Sequence, residues 1–481
     1  MASPRELTRS IVGWGSPTRI EGPLVLDLVM LVLFVVARGT SARDPDANGL
    51  LGAWLVAAAL LAVRWPGSGL GLAAAIITFP QPFRLGLLPS FALIAAAGIG
   101  SAVDLAMHGG WPRKRWMSLV LVGLVVIGAA TAMSMYRSLL RLDPSVAVEA
   151  GRRWLELGTG LVFFALLIHT FVLGARRPLL FGLIGITVGL VVAVIDYVSP
   201  RSLPSLRLRW LVFGTDQARA TGPFASPNRL GTVAAISVVL AVTQVWAGRG
   251  LVRWLWAGFG VLGLVALVLS FSRGALLGLV LAVGLILALR SRRLAIAYGI
   301  AAGVMALVAV PVLIGARLAG SGGTLDVLLS NDLGRMDAWV AGLRMIATEP
   351  VFGHGYYAFS QVGAGFGATD GLATAHNEAI GLWAESGMLA FAGYVVLVVA
   401  IIGAALERRA DAWAVAALGA LIVYFVASSF NVQLMFLAVM GPVWLVVAYG
   451  IARPLPEIAD DPLPDRPDAP DDRRAVVGTV G

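Results

Sequence analysis

Arg273 stands between two long apolar runs, in the setting Ser270-Phe271-Ser272-Arg273-Gly274. A charge at the mouth of a helical bundle is costly unless it is paired or hydrated, which makes such a residue a functional candidate by default. Guanidinium is always charged and forks onto phosphate oxygens in pairs, so the chemistry on offer is anion binding. Further arginines follow in three connections: Arg137, Arg141, Arg152 and Arg153, then Arg201, Arg207, Arg209, Arg219 and Arg229, then Arg317, Arg335 and Arg344. Contact with lipid headgroups accounts for many of these without any ligand, because long loops cross a membrane regardless of charge. Histidine is scarce: His108, His169, His354 and His376. His376 opens His376-Asn377-Glu378, directly before an apolar run from Ala379. An imidazole at that boundary is placed to act as a general base, and Glu378 is the next candidate. Asp44-Pro45-Asp46 could share a divalent cation, although an Asp-Pro-Asp turn is the simpler reading.

These residues are carried by an unusually apolar chain. Of 481 residues, 58% are hydrophobic and 13% charged, with a mean hydropathy of +0.86. Soluble domains are about a quarter charged, so the solvent for this surface is lipid. A span needs about 20 apolar residues. Candidates are 22–37, 49–63, 67–79, 85–107, 116–135, 154–174, 179–197, 229–247, 252–270, 274–289, 294–315, 379–404, 412–428 and 432–451. The second and third are short enough to form one broken pair, so the expectation is an all-α polytopic membrane protein of about 12–14 transmembrane helices.

Short basic connections set the orientation. Arg113-Lys114-Arg115, Arg176-Arg177, Arg249 with Arg253, Arg290 with Arg292-Arg293, and Arg408-Arg409 fall on alternate connections, which places them and both termini in the cytoplasm. The apolar run 24–37 lacks a small-residue cleavage site after it and reads as an uncleaved anchor. The net charge of +9 is spread over span ends rather than gathered in a basic domain, which excludes a nucleic-acid reading. Cysteine is absent, so no disulfide or thiolate site exists. The outward connections are expected at about 136–153, 198–228 and 316–378. In the last, Asn331-Asp332 is expected to cap a helix that Pro350 ends, with Leu333, Met336, Val340, Leu343 and Ala347 on one face, lying on the membrane surface or against the bundle. The Pro- and Asp-rich stretch 453–481 cannot bury a core and reads as a disordered tail.

Four segments in order resemble the O-antigen ligase and polymerase family of bacterial membrane glycosyltransferases. They are Gly222-Pro223-Phe224-Ala225-Ser226-Pro227-Asn228-Arg229-Leu230-Gly231, then Ser270 to Ala275, then Gly334-Arg335-Met336-Asp337-Ala338-Trp339 running on to Glu349-Pro350-Val351-Phe352-Gly353-His354-Gly355, and last His376-Asn377-Glu378 with Glu385-Ser386-Gly387. The resemblance implies a GT-C-like helical fold. With the span and charge reading above, it gives a division into a cytoplasmic N-terminus (1–21), N-terminal helices (22–219), a ligase-like core (220–404) with the outward loop 316–378, C-terminal helices (405–452) and the tail. It implies transfer of a glycan from polyprenyl (undecaprenyl) diphosphate to a hydroxyl on a glycan or glycolipid acceptor, such as lipopolysaccharide. The reaction would occur at the outer face of the cell membrane, with inversion and without metal or other cofactor. Carried over, Arg273 and Arg335 would bind diphosphate, with Arg229 as a helper, and His376 would take the acceptor proton. The competing reading is a transporter, either a lipid-linked-glycan flippase or a small-anion carrier. A carrier would place its polar groups near mid-bilayer, whereas here they gather at the outer boundary.

Overall fold

The computed structural model describes residues 19–43, 48–78, 88–108, 115–198, 219–304, 307, 325–369 and 372–454. These residues are helical, with no strand among them. In chain order the helices are α1 (Leu24–Arg43), α2 (Asn48–Arg64), α3 (Pro66–Ile77), α4 (Leu88–His108), α5 (Arg115–Arg141), α6 (Pro144–Val172), α7 (Arg177–Val198), α8 (Pro227–Ala247), α9 (Gly250–Ser270), α10 (Arg273–Arg290) and α11 (292–304). They continue with α12 (Leu325–Thr348), the single turn α13 (Phe359–Val362), α14 (Glu378–Glu407), α15 (Ala412–Ser428) and α16 (Leu437–Ala452).

Among the described residues, eight helices (α4 to α10 and α14) are long and apolar enough to cross a bilayer, and four shorter apolar helices accompany them. Large apolar side chains stay exposed on them, including Val125, Trp254, Leu255 and Val261, as lipid-facing surface requires. The chain is an all-α, multi-pass membrane protein. Small residues let its helices approach closely: a Cβ on Gly123 of α5 would lie 2.8 Å from the Leu397 nitrogen of α14, and one on Gly393 would lie 3.0 Å from the Ile127 nitrogen.

Two expectations are corrected. The connection at 136–153 is not a loop, because α5 runs to Arg141 and α6 starts at Pro144. With 27 and 29 residues, both helices exceed the roughly 20 needed for a span, and their ends carry the arginines in helical register. Asn331-Asp332 does not cap α12, which is already helical at Leu325. The expected apolar face of α12 turns outward, with Met336, Val340 and Leu343 exposed, and the helix packs on protein through Ala338, Ala341 and Met345. Asp44, Asp46, Arg201, Arg207, Arg209, Arg317 and the tail beyond Pro454 lie outside the described residues.

Candidate active site

The turn between α9 and α10 presents Arg273. α9 ends at Ser270, Phe271 adopts the left-handed conformation (φ 50°, ψ 32°), and α10 begins at Arg273. The Ser270 hydroxyl accepts the Ser272 backbone N–H at 3.3 Å, which tightens the turn. A cation at a helix N-terminus opposes the helix dipole, so the placement of Arg273 works against local preference. Arg219 holds the same turn from outside. Its Nε donates to the Ser270 carbonyl at 2.9 Å, and its Nη2 to the Phe271 carbonyl at 3.2 Å and to Asn228 Oδ1 at 3.1 Å.

α12 supplies the facing wall. Arg335 and Trp339 stand four residues apart and so share a helix face. Together with Arg219, Asn228, Arg273, Phe430 and Gln433 they line a cavity of about 400 Å³. The described lining residues include three arginines and no carboxylate. Such a cavity favours an anion.

His376 does not line this cavity but adjoins its wall. Trp339 Nε1 points at the His376 carbonyl from 3.5 Å. Burial, and then the charge of Arg335, hold the His376 pKa below the usual histidine value, so the ring is neutral at pH 7 and able to accept a proton. The next two residues fix the start of α14. Asn377 is its N-cap, accepting the Ile380 N–H at 3.1 Å, the ordinary means of satisfying a helix's first donors. Glu378 is buried, and its Oε2 accepts the N–H groups of Gln433 at 2.6 Å and Leu434 at 2.8 Å. That carboxylate ties α14 to the segment before α16, and one of its oxygens is already committed to backbone.

The Glu349–Gly355 segment closes a break in α14. Gly387 there has φ 78° and ψ 178°, which side-chain-bearing residues essentially never adopt. The break frees backbone groups that need partners inside a membrane. His354 N–H donates to the Ala384 carbonyl at 3.0 Å, Gly355 N–H to the Glu385 carbonyl at 2.9 Å, and Met388 N–H to the Pro350 carbonyl at 2.9 Å. Ser134 of α5 donates to the Glu385 carbonyl at 2.8 Å. A Cβ on Gly387 would lie 2.1 Å from the Val351 oxygen, and one on Gly353 2.4 Å from the Glu385 oxygen. Arg137 and Arg141 at the end of α5 both bond the Glu349 carboxylate, and Arg137 also bonds the Gly353 carbonyl. Burial raises the Glu349 pKa, but those hydrogen bonds and charges outweigh it and hold the group below the usual carboxyl range.

The arginines therefore divide. Arg273 and Arg335 line one cavity, and Arg219 lines it with them. Arg229 turns elsewhere: its guanidinium lies 3.3 Å from the Phe436 ring centroid, with Arg153 on the same ring at 4.7 Å. Arg152 and Arg153 pair with Glu149 and Glu156. Sequence reading missed Trp339, whose i, i+4 spacing from Arg335 was the available signal. It also left Arg219 among the general loop arginines. The four described non-glycine residues with positive φ are Ala225, Phe271, Tyr357 and His376, and all but Tyr357 lie within the four segments that carry the family resemblance. Such strain clusters at functional sites.

A family model described as O-antigen ligase matches residues 258–395. The resemblance to the O-antigen ligase family is thereby shown. The matched stretch runs from α9 into α14 and so holds Arg273, Arg335, Trp339 and His376, while Arg219, Asn228, Phe430 and Gln433 reach the cavity from outside it. The match is narrower than the 220–404 expected. It implies an O-antigen ligase-type membrane glycosyltransferase. No curated protein matches the chain.

Proposed function

We propose that the protein transfers a glycan from polyprenyl diphosphate to a hydroxyl acceptor at the outer face of the cell membrane. The observation that carries this reading is the convergence of Arg219, Arg273 and Arg335 on one cavity, with His376 against its wall. The arginines hold the donor diphosphate. The acceptor oxygen attacks the anomeric carbon and gives its proton to His376. The bond from that carbon to the phosphate oxygen breaks, and its electron pair leaves with the diphosphate. Fixed guanidinium groups stabilise the charge growing on that oxygen. Direct attack inverts the anomeric centre, and the arginines supply the charge stabilisation a metal would otherwise give. Arg229, stacked on Phe436, lies outside this group and takes no part in holding the donor.

The test is binding and turnover of a polyprenyl-diphosphate glycan by purified protein in detergent. Arg273→Lys keeps the charge but loses the fork, so donor affinity should fall. Turnover should persist in a chelator. Loss of turnover in chelator with a silent Arg273→Lys would instead indicate metal assistance and direct attention to Asp44 and Asp46.

A further inference from the structure

We propose that Trp339 is the platform for the first sugar of the donor, and that it decides which sugar the protein accepts. This inference rests on the donor reading above. The lining of the cavity is of two chemical kinds. One part is cationic, from Arg219, Arg273 and Arg335. The other is aromatic and amide-bearing: the Trp339 and Phe430 rings stand 6.1 Å apart and 42° from coplanar, beside Asn431 and Gln433. A diphosphate uses the first part and has no use for the second. A sugar ring has apolar C–H faces and hydroxyl edges, which match an indole face bordered by amides.

Gln433 supports the same assignment. Its Nε2 donates to Thr232 Oγ1 at 2.9 Å, while that hydroxyl donates to the Asn228 carbonyl at 3.0 Å. Because the threonine proton is committed, the glutamine must present its NH2 there, and its oxygen is directed elsewhere. Gln433 is fully buried and lines the cavity, and its Oε1 has no hydrogen-bond partner. Buried acceptors left unpaired are rare, and a sugar hydroxyl is a donor of suitable kind.

Geometry also connects the platform to the chemistry. Arg335 and Trp339 lie on one face of α12, so a ring on Trp339 sits next to the diphosphate held by Arg335. The indole N–H points at the His376 carbonyl, so the same residue orients the segment carrying the base. A volume of about 400 Å³ lies at the low end of small-molecule pockets, ~300–1,000 Å³. That suits a diphosphate with its first sugar, with the remaining glycan outside.

The experiment compares affinities of the full-length protein in detergent for farnesyl diphosphate and for farnesyl-diphosphate-linked single sugars (glucose, galactose, N-acetylglucosamine and rhamnose). In the parent protein at least one sugar should raise affinity over the sugar-free lipid by about 5- to 10-fold, the size of an aromatic contact. Trp339→Ala should abolish that gain, read as the ratio of sugar-linked to sugar-free affinity within the same variant, and measurable binding of farnesyl diphosphate shows that the variant is folded. Trp339→Phe should keep part of the gain. Gain that survives Trp339→Ala, or no gain from any sugar in the parent, overturns the platform. Failure of farnesyl diphosphate to bind the parent overturns the donor reading itself.

Discussion

Trp339 Nε1 lies 3.5 Å from the carbonyl oxygen of His376, so the aromatic wall of the arginine cavity and the histidine beside it share a contact. Arg335, one helical turn before Trp339, acts on the same histidine through its charge. The arginine-lined cavity and His376 are thus coupled electrostatically as well as sterically.

That coupling predicts a pH profile. His376 must be neutral to accept a proton, so turnover should fall as pH drops through its lowered pKa, below the ordinary value of 6.5. Removing a positive neighbour raises a histidine pKa. At saturating donor, Arg335→Gln should therefore move the acid limb upward, whereas Arg335→Lys should leave it in place while lowering donor affinity. An acid limb unchanged by Arg335→Gln would break the coupling.

Glu349 predicts a second pH effect, in structure rather than rate. Its folded pKa lies below its ordinary value of 4.5, so the clamp with Arg137 and Arg141 contributes fully above that value. The contribution is lost as pH falls through the depressed folded pKa. Hydrogen exchange at His354, Gly355 and Met388, corrected for its intrinsic pH dependence, should speed up in that window. Glu349→Gln should exchange fast at every pH.

The break in α14 predicts a contrast between two glycines. Gly387→Ala forces a conformation costing about 1–3 kcal/mol and meets the Val351 oxygen besides, so thermal stability in detergent should fall sharply. A Cβ on Gly365 would meet nothing within 4 Å, and Gly365→Ala should stay within about 0.5 kcal/mol of the parent.

Much of this was legible in the sequence because lipid imposes length and apolarity on every span. Arg273 stood out by its setting between two apolar runs, whereas Arg335 was singled out through the family resemblance, and the cavity that both line depends on packing. What the sequence concealed depended on tertiary partners. Hydropathy falls at Arg137 and Arg153, so the connection there reads as loop, yet helix continues because its charges find Glu349, Glu149 and Glu156. Arg229 and Arg273 look alike in sequence, and only the packing of Phe436 takes Arg229 out of the cavity. Glu378 looks like a spare base until Gln433 and Leu434, far along the chain, bring their N–H groups to it.

Glu378 and His376 can be separated by kinetics. Glu378→Gln keeps one acceptor oxygen for the backbone of 433–434, so a moderate loss, under about tenfold, is expected from weakening one buried hydrogen bond. The acid limb of the pH profile should remain. A loss as large as that of His376→Ala, together with loss of that limb, would transfer the base role to Glu378.

The central claim is tested most directly by single-turnover transfer of a polyprenyl-diphosphate glycan to a hydroxyl acceptor, with the purified parent protein compared with His376→Ala. The parent should elongate the acceptor and release polyprenyl diphosphate. His376→Ala should bind the donor with parental affinity and transfer about 100- to 10,000-fold more slowly, the usual cost of losing a general base. Transfer by His376→Ala at the parental rate, or a parent that carries the intact lipid-linked glycan across a bilayer without cleaving it, would contradict the account.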